Sequence, residues 1–350
     1  MPRRAQLGLC IAAALYFILT ALSGYLYSPC YRIADGVYSH GLIGILGFAY
    51  TVFLVFLLSD ARYRYYANLL RVTFTVLSLT LVAAFLFNKI WFINLAALAY
   101  LIATGALWRY FDATDKPRED LFLRLAIFIS LLSWIYFIYS LNFENFLGFE
   151  SRFSYTLLAF SFPVSLLLFS RIVDILKLSN KQVTITAIVL VSGVLSMFAG
   201  MLFSVYWLEK ISAGSLLVLI LAYLMLAVHQ RNTTLAIAFF GLLLTGLSGV
   251  WFLLEYTATG EQNLNILRMH AHLAHFAWAT YGIFYLSAQH ISLSFRWQIA
   301  IYVSLFLSLA FLSLALFSPN TWLLHSSVLF FLLSGYLMGA CLIKWWQNQK

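Results

Sequence analysis

Seven histidines are the residues of this chain best suited to chemistry, and three of them stand close together. They are His270, His272 and His275, within LRMHAHLAHFAWATYG at 267–282. A neutral imidazole is a good ligand for transition metals and exchanges protons near neutral pH. At about 100° per helical residue, His270 and His272 lie roughly 200° apart and point to opposite faces. Such a helix can ligate one group on each side, which suits two neighbouring haems and does not suit one compact tetrahedral metal. His275 follows at about 60° from His272. It fits three roles equally: a donor supporting the ligands, an alternative ligand, or an ordinary interior residue.

His40, in DGVYSHGLIGILGFAY at 35–50, is the fourth candidate. Gly41, Gly44 and Gly47 follow it at intervals of three. They bare one side of a helix, where a porphyrin edge or another helix fits. Other chemistries lack their motifs. The chain has no CxxCH for covalent haem c, no CxxC pair, no GxSxG, no HExxH and no glycine-rich nucleotide loop. Cys10 and Cys341 fall in apolar runs and Cys30 in a loop, so no disulfide framework is expected.

The elements that must position these residues are read from composition. Of 350 residues, 63% are apolar and 9% charged, too apolar for a water-soluble fold. The charges separate apolar stretches of about 20 residues, the length that crosses a bilayer core. Twelve spans are predicted, at 6–27, 38–58, 69–87, 91–110, 121–141, 153–170, 183–206, 212–229, 235–254, 268–287, 296–317 and 322–343. The first follows Arg3 and Arg4 without a small-x-small cleavage site and is read as a span, not a leader. The fold class expected is all-α: a polytopic helical bundle forming one integral membrane domain over 1–350, in which 38–58 and 268–287 carry the histidines.

Orientation follows from the basic residues. With the amino terminus cytoplasmic, the inside segments hold sixteen Lys and Arg and the outside only Arg32, Lys89, Arg152, Lys210 and Arg268. Both chain ends then lie in the cytoplasm. The net charge of +9 is explained by this topology and by anionic lipid head groups, and the scattered basic residues form no nucleic-acid stripe. Tryptophan and tyrosine gather near span ends as interfacial anchors, Trp91, Trp108, Trp207 and Trp251 among them. Gly193, Gly200, Gly241, Gly246 and Gly249 are candidates for close helix contacts. All acidic residues fall in loops or near span ends, Glu209 and Glu255 included, which lowers the expectation of a proton or cation carrier. Glu255 and Arg268 bracket the loop before the histidine run, as solvated charges or as haem-propionate partners. On this topology His40, His270, His272, His275 and His325 lie toward the outer side, and His229 and His290 at cytoplasmic ends.

In its HAHLA run, its His40 and its span count, the chain resembles the large-subunit family of haem-copper oxidases and nitric-oxide reductases. The resemblance implies a twelve-helix core with His40 and His272 as axial ligands of a low-spin haem and His270 as the proximal ligand of a catalytic high-spin haem. It departs from the family at the second metal. Three further histidines are expected on the sixth and seventh helices, and 153–170 and 183–206 contain none. The resemblance therefore implies a reduced relative with one or two haem b groups, no covalent haem c, and no support for copper or non-haem iron. The function implied is electron transfer, or binding or reduction of nitric oxide or oxygen, in an enzyme of oxidase or nitric-oxide reductase type. Its partners would be membrane lipids, a quinol or cytochrome electron donor, a small accessory subunit and a diatomic ligand, without nucleic acid, in a bacterial cytoplasmic (inner) membrane. Two other readings fit the same residues: a multispan transporter for a small solute or protons, and a noncatalytic membrane assembly protein.

Overall fold

The computed structural model of the chain describes residues 3–26, 40–41, 43–49, 51, 67–87, 90–108, 117–143, 145–146, 149–150, 153–261, 263–290, 293–318 and 320–348. It is built of helices, and the chain divides into two compact units, Met1–Ser170 and Arg171–Lys350. Cys30, Arg32, Arg62, Arg64, Lys89, Arg109, Lys116 and Arg152 lie outside the described residues, as does most of the predicted span 38–58.

The first unit contains α1 (Arg3–Leu26), the π-helical segment π1 (Ile43–Ala49), α2 (Ala67–Phe87), α3 (Ile90–Trp108), α4 (Pro117–Asn142) and the start of α5 (Phe153–Ile175). Between α4 and α5 two short strands, β1 (Asn145–Phe146) and β2 (Phe149–Glu150), pair antiparallel. Its core is aromatic. Trp134 is fully buried, 5.0 Å from the ring of Tyr100 and 5.8 Å edge-on from Phe137. Asn94 on α3 and Asn142 on α4 exchange amide hydrogen bonds at 3.0 and 2.8 Å, which registers those two helices.

The second unit contains α6 (Asn180–Phe203), α7 (Tyr206–His229), α8 (Thr233–Thr259), α9 (Leu264–His272), the π-helical segment π2 (Leu273–Thr280), α10 (Tyr281–His290), α11 (Phe295–Phe317) and α12 (Thr321–Asn348). A capping box between Ser179 and Gln182 starts α6. Ser204, in the left-handed region at φ 56°, ends it. The sequence carries no Gly or Pro there, so the predicted span runs on to residue 206. The predicted span 212–229 likewise begins late, because Glu209 and Lys210 read as a polar break, whereas Glu209 is buried in the first turn of α7. Gly200 makes this possible: a methyl there would lie 2.6 Å from the Glu209 Cγ. The side chain also stands in the first turn of α7, the end at which the helix dipole favours an acidic group. Thr186 Oγ1 and Tyr223 Oη, 2.5 Å apart, join α6 to α7, and Ser308 and Ser327, 3.4 Å apart, join α11 to α12.

Where the described residues cover the predicted stretches, they fall on helical segments. Among the described residues, six helical segments are long and apolar enough to cross a membrane: 121–142, 180–203, 206–229, 233–259, 295–317 and 321–341. Their outer faces are apolar too. On α7, Val218, Leu221, Met225 and Val228 form one exposed stripe, with Met225 at 70%. A stripe of this kind is stable against lipid tails and costly against water. The chain is an integral membrane protein.

Close approach between helices is arranged by small residues, as expected where lipid gives helices no hydrophobic reason to associate. Gly193 receives Leu216 and Gly246 receives Leu217, while Gly241 lies directly against the carbonyl of Ala277. Backbone cannot yield as a side-chain tip can. Gly241→Ala is therefore expected to destabilise the protein by about 1–3 kcal/mol. Gly214 faces open space on α7, and Gly214→Ala is expected to stabilise it by about 0.5–1 kcal/mol through helix propensity. Thermal unfolding of both variants in one detergent checks the pair.

Candidate ligand-binding histidines

The histidine run begins at an ordered cap. Asn263 Oδ1 accepts from the backbone N–H groups of Asn265 at 3.1 Å and Ile266 at 3.4 Å, opening α9. The Asn263 side-chain amide donates to Glu255 Oε1 at 2.8 Å. Glu255, near the end of α8, thus holds the start of the histidine helix, a structural task not assigned to it from sequence. Arg268 contributes its carbonyl, as described below.

His270 turns toward α8. Its Nδ1 lies 3.0 Å from the Thr245 carbonyl and 3.1 Å from Ser248 Oγ. A carbonyl oxygen only accepts, so Nδ1 carries the proton and donates. Ser248 donates its own hydroxyl proton to the same Thr245 carbonyl at 2.8 Å, leaving its lone pairs to the imidazole. The lone pair of His270 is thereby assigned to Nε2. The ring is seated on Gly249, where a methyl would come within 3.0 Å of Cε1.

His272 engages a different partner, as the two-residue spacing requires. Its Nδ1 donates to the Arg268 carbonyl one turn back on α9 at 2.7 Å, and its ring centroid lies 5.6 Å from that of Phe276. The tautomer is the same, with the lone pair on Nε2. Protein carbonyls that hold Nδ1–H in this way are the usual support behind a metal-ligating histidine, since they fix the ring and raise its basicity.

His275 lies inside π2. Its carbonyl accepts from Thr280 Oγ1, five residues on, at 2.9 Å. The i→i+5 winding of π2 advances fewer degrees per residue than an α-helix, so the 60° offset read from α-helical periodicity does not hold beyond Leu273. π2 is clamped by aromatics: Trp278 stacks on Phe239 of α8 at 5.6 Å, and Phe239 on Tyr223 at 5.5 Å. After it, Asn232, the cap of α8, donates to the Tyr285 hydroxyl at 2.8 Å, and the Tyr281 hydroxyl donates to the Tyr302 carbonyl at 3.0 Å.

His40 belongs to the first unit. Its Nδ1 is 3.2 Å from Ser23 Oγ on α1, and its ring is seated on Gly24, where a methyl would lie 2.7 Å from Cε1. Ser23 donates its proton to the Thr20 carbonyl at 3.1 Å. The glycines after His40 admit a helix: Gly44 packs on Thr20 and Gly47 on the ring of Tyr16. His229 ends α7 and His290 ends α10, and His325, in the first turns of α12, lies edge-on to Trp322 at 6.1 Å.

No protein-family model, curated protein or solved structure matches this chain. The site is therefore judged on its own geometry. Among the described residues, no three His, Cys, Asp or Glu side chains gather to hold a metal ion. A haem asks for less, since the porphyrin supplies four nitrogens and the protein one or two axial ligands. His270 and His272 have the tautomer and the anchored ring that an axial ligand needs. Sequence reasoning missed Ser23, Ser248 and Asn263, which hold the rings and the helix start; the signals were a Ser-Gly pair on a neighbouring span and an Asn just before the run.

Asn263→Ala removes the cap of α9 and is expected to cost about 0.5–2 kcal/mol. Glu255→Gln, which keeps an acceptor for the Asn263 amide, is expected to cost less. Hydrogen exchange at the backbone amides of 264–267 checks both: faster exchange in Asn263→Ala with little change in Glu255→Gln is the expected pattern.

Proposed function

We propose that this protein is a b-type haem-binding membrane protein, with His270 and His272 as iron ligands on opposite faces of one helix and His40 as a further ligand. The observation that carries the reading is the double anchoring of His270 Nδ1 by the Thr245 carbonyl and Ser248, which leaves Nε2 as its donor atom. Haem, when bound, supplies a one-electron couple and, where one axial face is left to a small molecule, a seat for a diatomic gas. The chain's residues orient the ligand rings through their Nδ1 atoms. Its topology is proposed as twelve spans with both ends cytoplasmic, in a bacterial inner membrane, as a reduced relative of the haem-copper oxidase and nitric-oxide reductase large subunits. Electron transfer, or binding or reduction of nitric oxide or oxygen, is the activity this arrangement supports, with a quinol or cytochrome as donor.

A multispan transporter is the second reading. Glu209, a carboxylate buried in a membrane-crossing helix, is the observation that favours it, since intramembrane acids often mark ion pathways.

Reduced-minus-oxidised spectra and haem extraction on the full chain, purified in detergent from haem-replete cells, separate the two. The expected result is non-covalent haem b. His272→Ala should then remove low-spin character, and His270→Ala a component that binds carbon monoxide or nitric oxide. Haem-free protein in such a preparation would refute the first reading. Spectra unchanged in both variants would refute the ligand assignment.

A further inference from the structure

The seats of His40 and His270 are built from hexapeptides that agree at five of six positions. Leu19 to Gly24 reads LTALSG and Leu244 to Gly249 reads LTGLSG. In each copy the serine hydroxyl donates to the carbonyl of the threonine three residues earlier, at 3.1 Å from Ser23 and 2.8 Å from Ser248. That threonine's own hydroxyl donates one turn back, from Thr20 to Tyr16 at 2.7 Å and from Thr245 to Gly241 at 3.0 Å. The serine Oγ then meets a histidine Nδ1, at 3.2 Å for His40 and 3.1 Å for His270, and the ring sits on the adjacent glycine.

The likeness continues past the histidine. Three residues after each one the helix turns π, at Ile43 and at Leu273. Seven residues after each one stands a small residue that touches the position one turn before the threonine. Gly47 receives the Tyr16 ring, and Ala277 lies against Gly241. A glycine makes the contact in both copies, Gly47 in one and Gly241 in the other, while its partner differs: the Tyr16 ring in the first and the Ala277 backbone in the second. Eight residues after each histidine an aromatic ring packs on the preceding helix: Phe48 at 5.3 Å from Phe17, and Trp278 at 5.6 Å from Phe239.

We infer that the chain contains a duplicated histidine-seating module, one copy in each unit, and that His40 and His270 are equivalent ligand positions, each presenting Nε2 to its own metal-centred group. This deepens the haem reading and rests on it only for the identity of that group. It gives His40 the same role as His270: each unit carries one seat.

Two measurements on the full chain in lipid nanodiscs test it. Histidine ¹⁵N spectra of haem-free protein are expected to show both rings protonated at Nδ1, with Ser23→Ala perturbing His40 alone and Ser248→Ala perturbing His270 alone. A His40 ring protonated at Nε2, or one indifferent to Ser23→Ala, would overturn the module whether or not haem binds. Haem per chain, counted by extraction after reconstitution with haemin, is expected to fall by the same amount in His40→Ala and in His270→Ala, and further in the double variant. Loss confined to His270→Ala would overturn the equivalence. Gly24→Ala and Gly249→Ala, which push a methyl into each ring, should reproduce the two losses with both histidines intact. If neither seat takes haemin, the haem reading fails, and the ¹⁵N result alone decides the module.

Discussion

The bond from His270 Nδ1–H to the Thr245 carbonyl, shared with Ser248, is the constraint around which the second unit is arranged. It fixes which ring nitrogen carries the proton, and so which one is left as a donor. For it to form, α8 and α9 must approach closely, and Gly249 provides the room. For His270 to reach α8, the helix must begin at the right residue, which the Asn263 cap and its bond to Glu255 ensure. The π2 segment and the stacking of Trp278 on Phe239 keep the same face against α8 along the next turns. A polar interaction inside an apolar bundle is costly unless every member is satisfied. The Thr245, Ser248 and His270 groups satisfy one another.

The division of labour inside the helices follows from solvent. Outward faces such as the Val218 to Val228 stripe are apolar because lipid is apolar. Inward faces hold hydroxyls, and among the described residues most buried Ser and Thr spend their proton on a carbonyl three or four residues back, as Thr20, Thr104, Ser133, Ser170 and Ser248 do. That habit matters for chemistry. A serine whose proton is committed to backbone can only accept, and an accepting serine beside a histidine selects the Nδ1–H tautomer.

Helix positions were largely legible in the sequence, because unbroken apolar runs between charge clusters have one stable form in a bilayer. The break at Ser204 and the early start of α7 were not, since a left-handed Ser and a buried Glu209 carry no local signature. His270 and His272 stood out by residue type and spacing. What seats them did not, because Ser248 and Thr245 are distant in sequence and their role is visible only once α8 and α9 are side by side. The π winding was hidden for a similar reason: an α-helical period assumes one register throughout, and π2 changes it after His272. The glycines after His40 left two fillings open, and packing against Tyr16 and Thr20 decided for the helix.

Pulsed electron paramagnetic resonance on oxidised full-length protein grown with ¹⁵N-histidine is the most direct test of a histidine-held iron. The expected result is a ferric haem signal coupled to ¹⁵N, with one coupling lost in His270→Ala. A ferric signal without any histidine coupling, or a coupling untouched by His270→Ala, would contradict it.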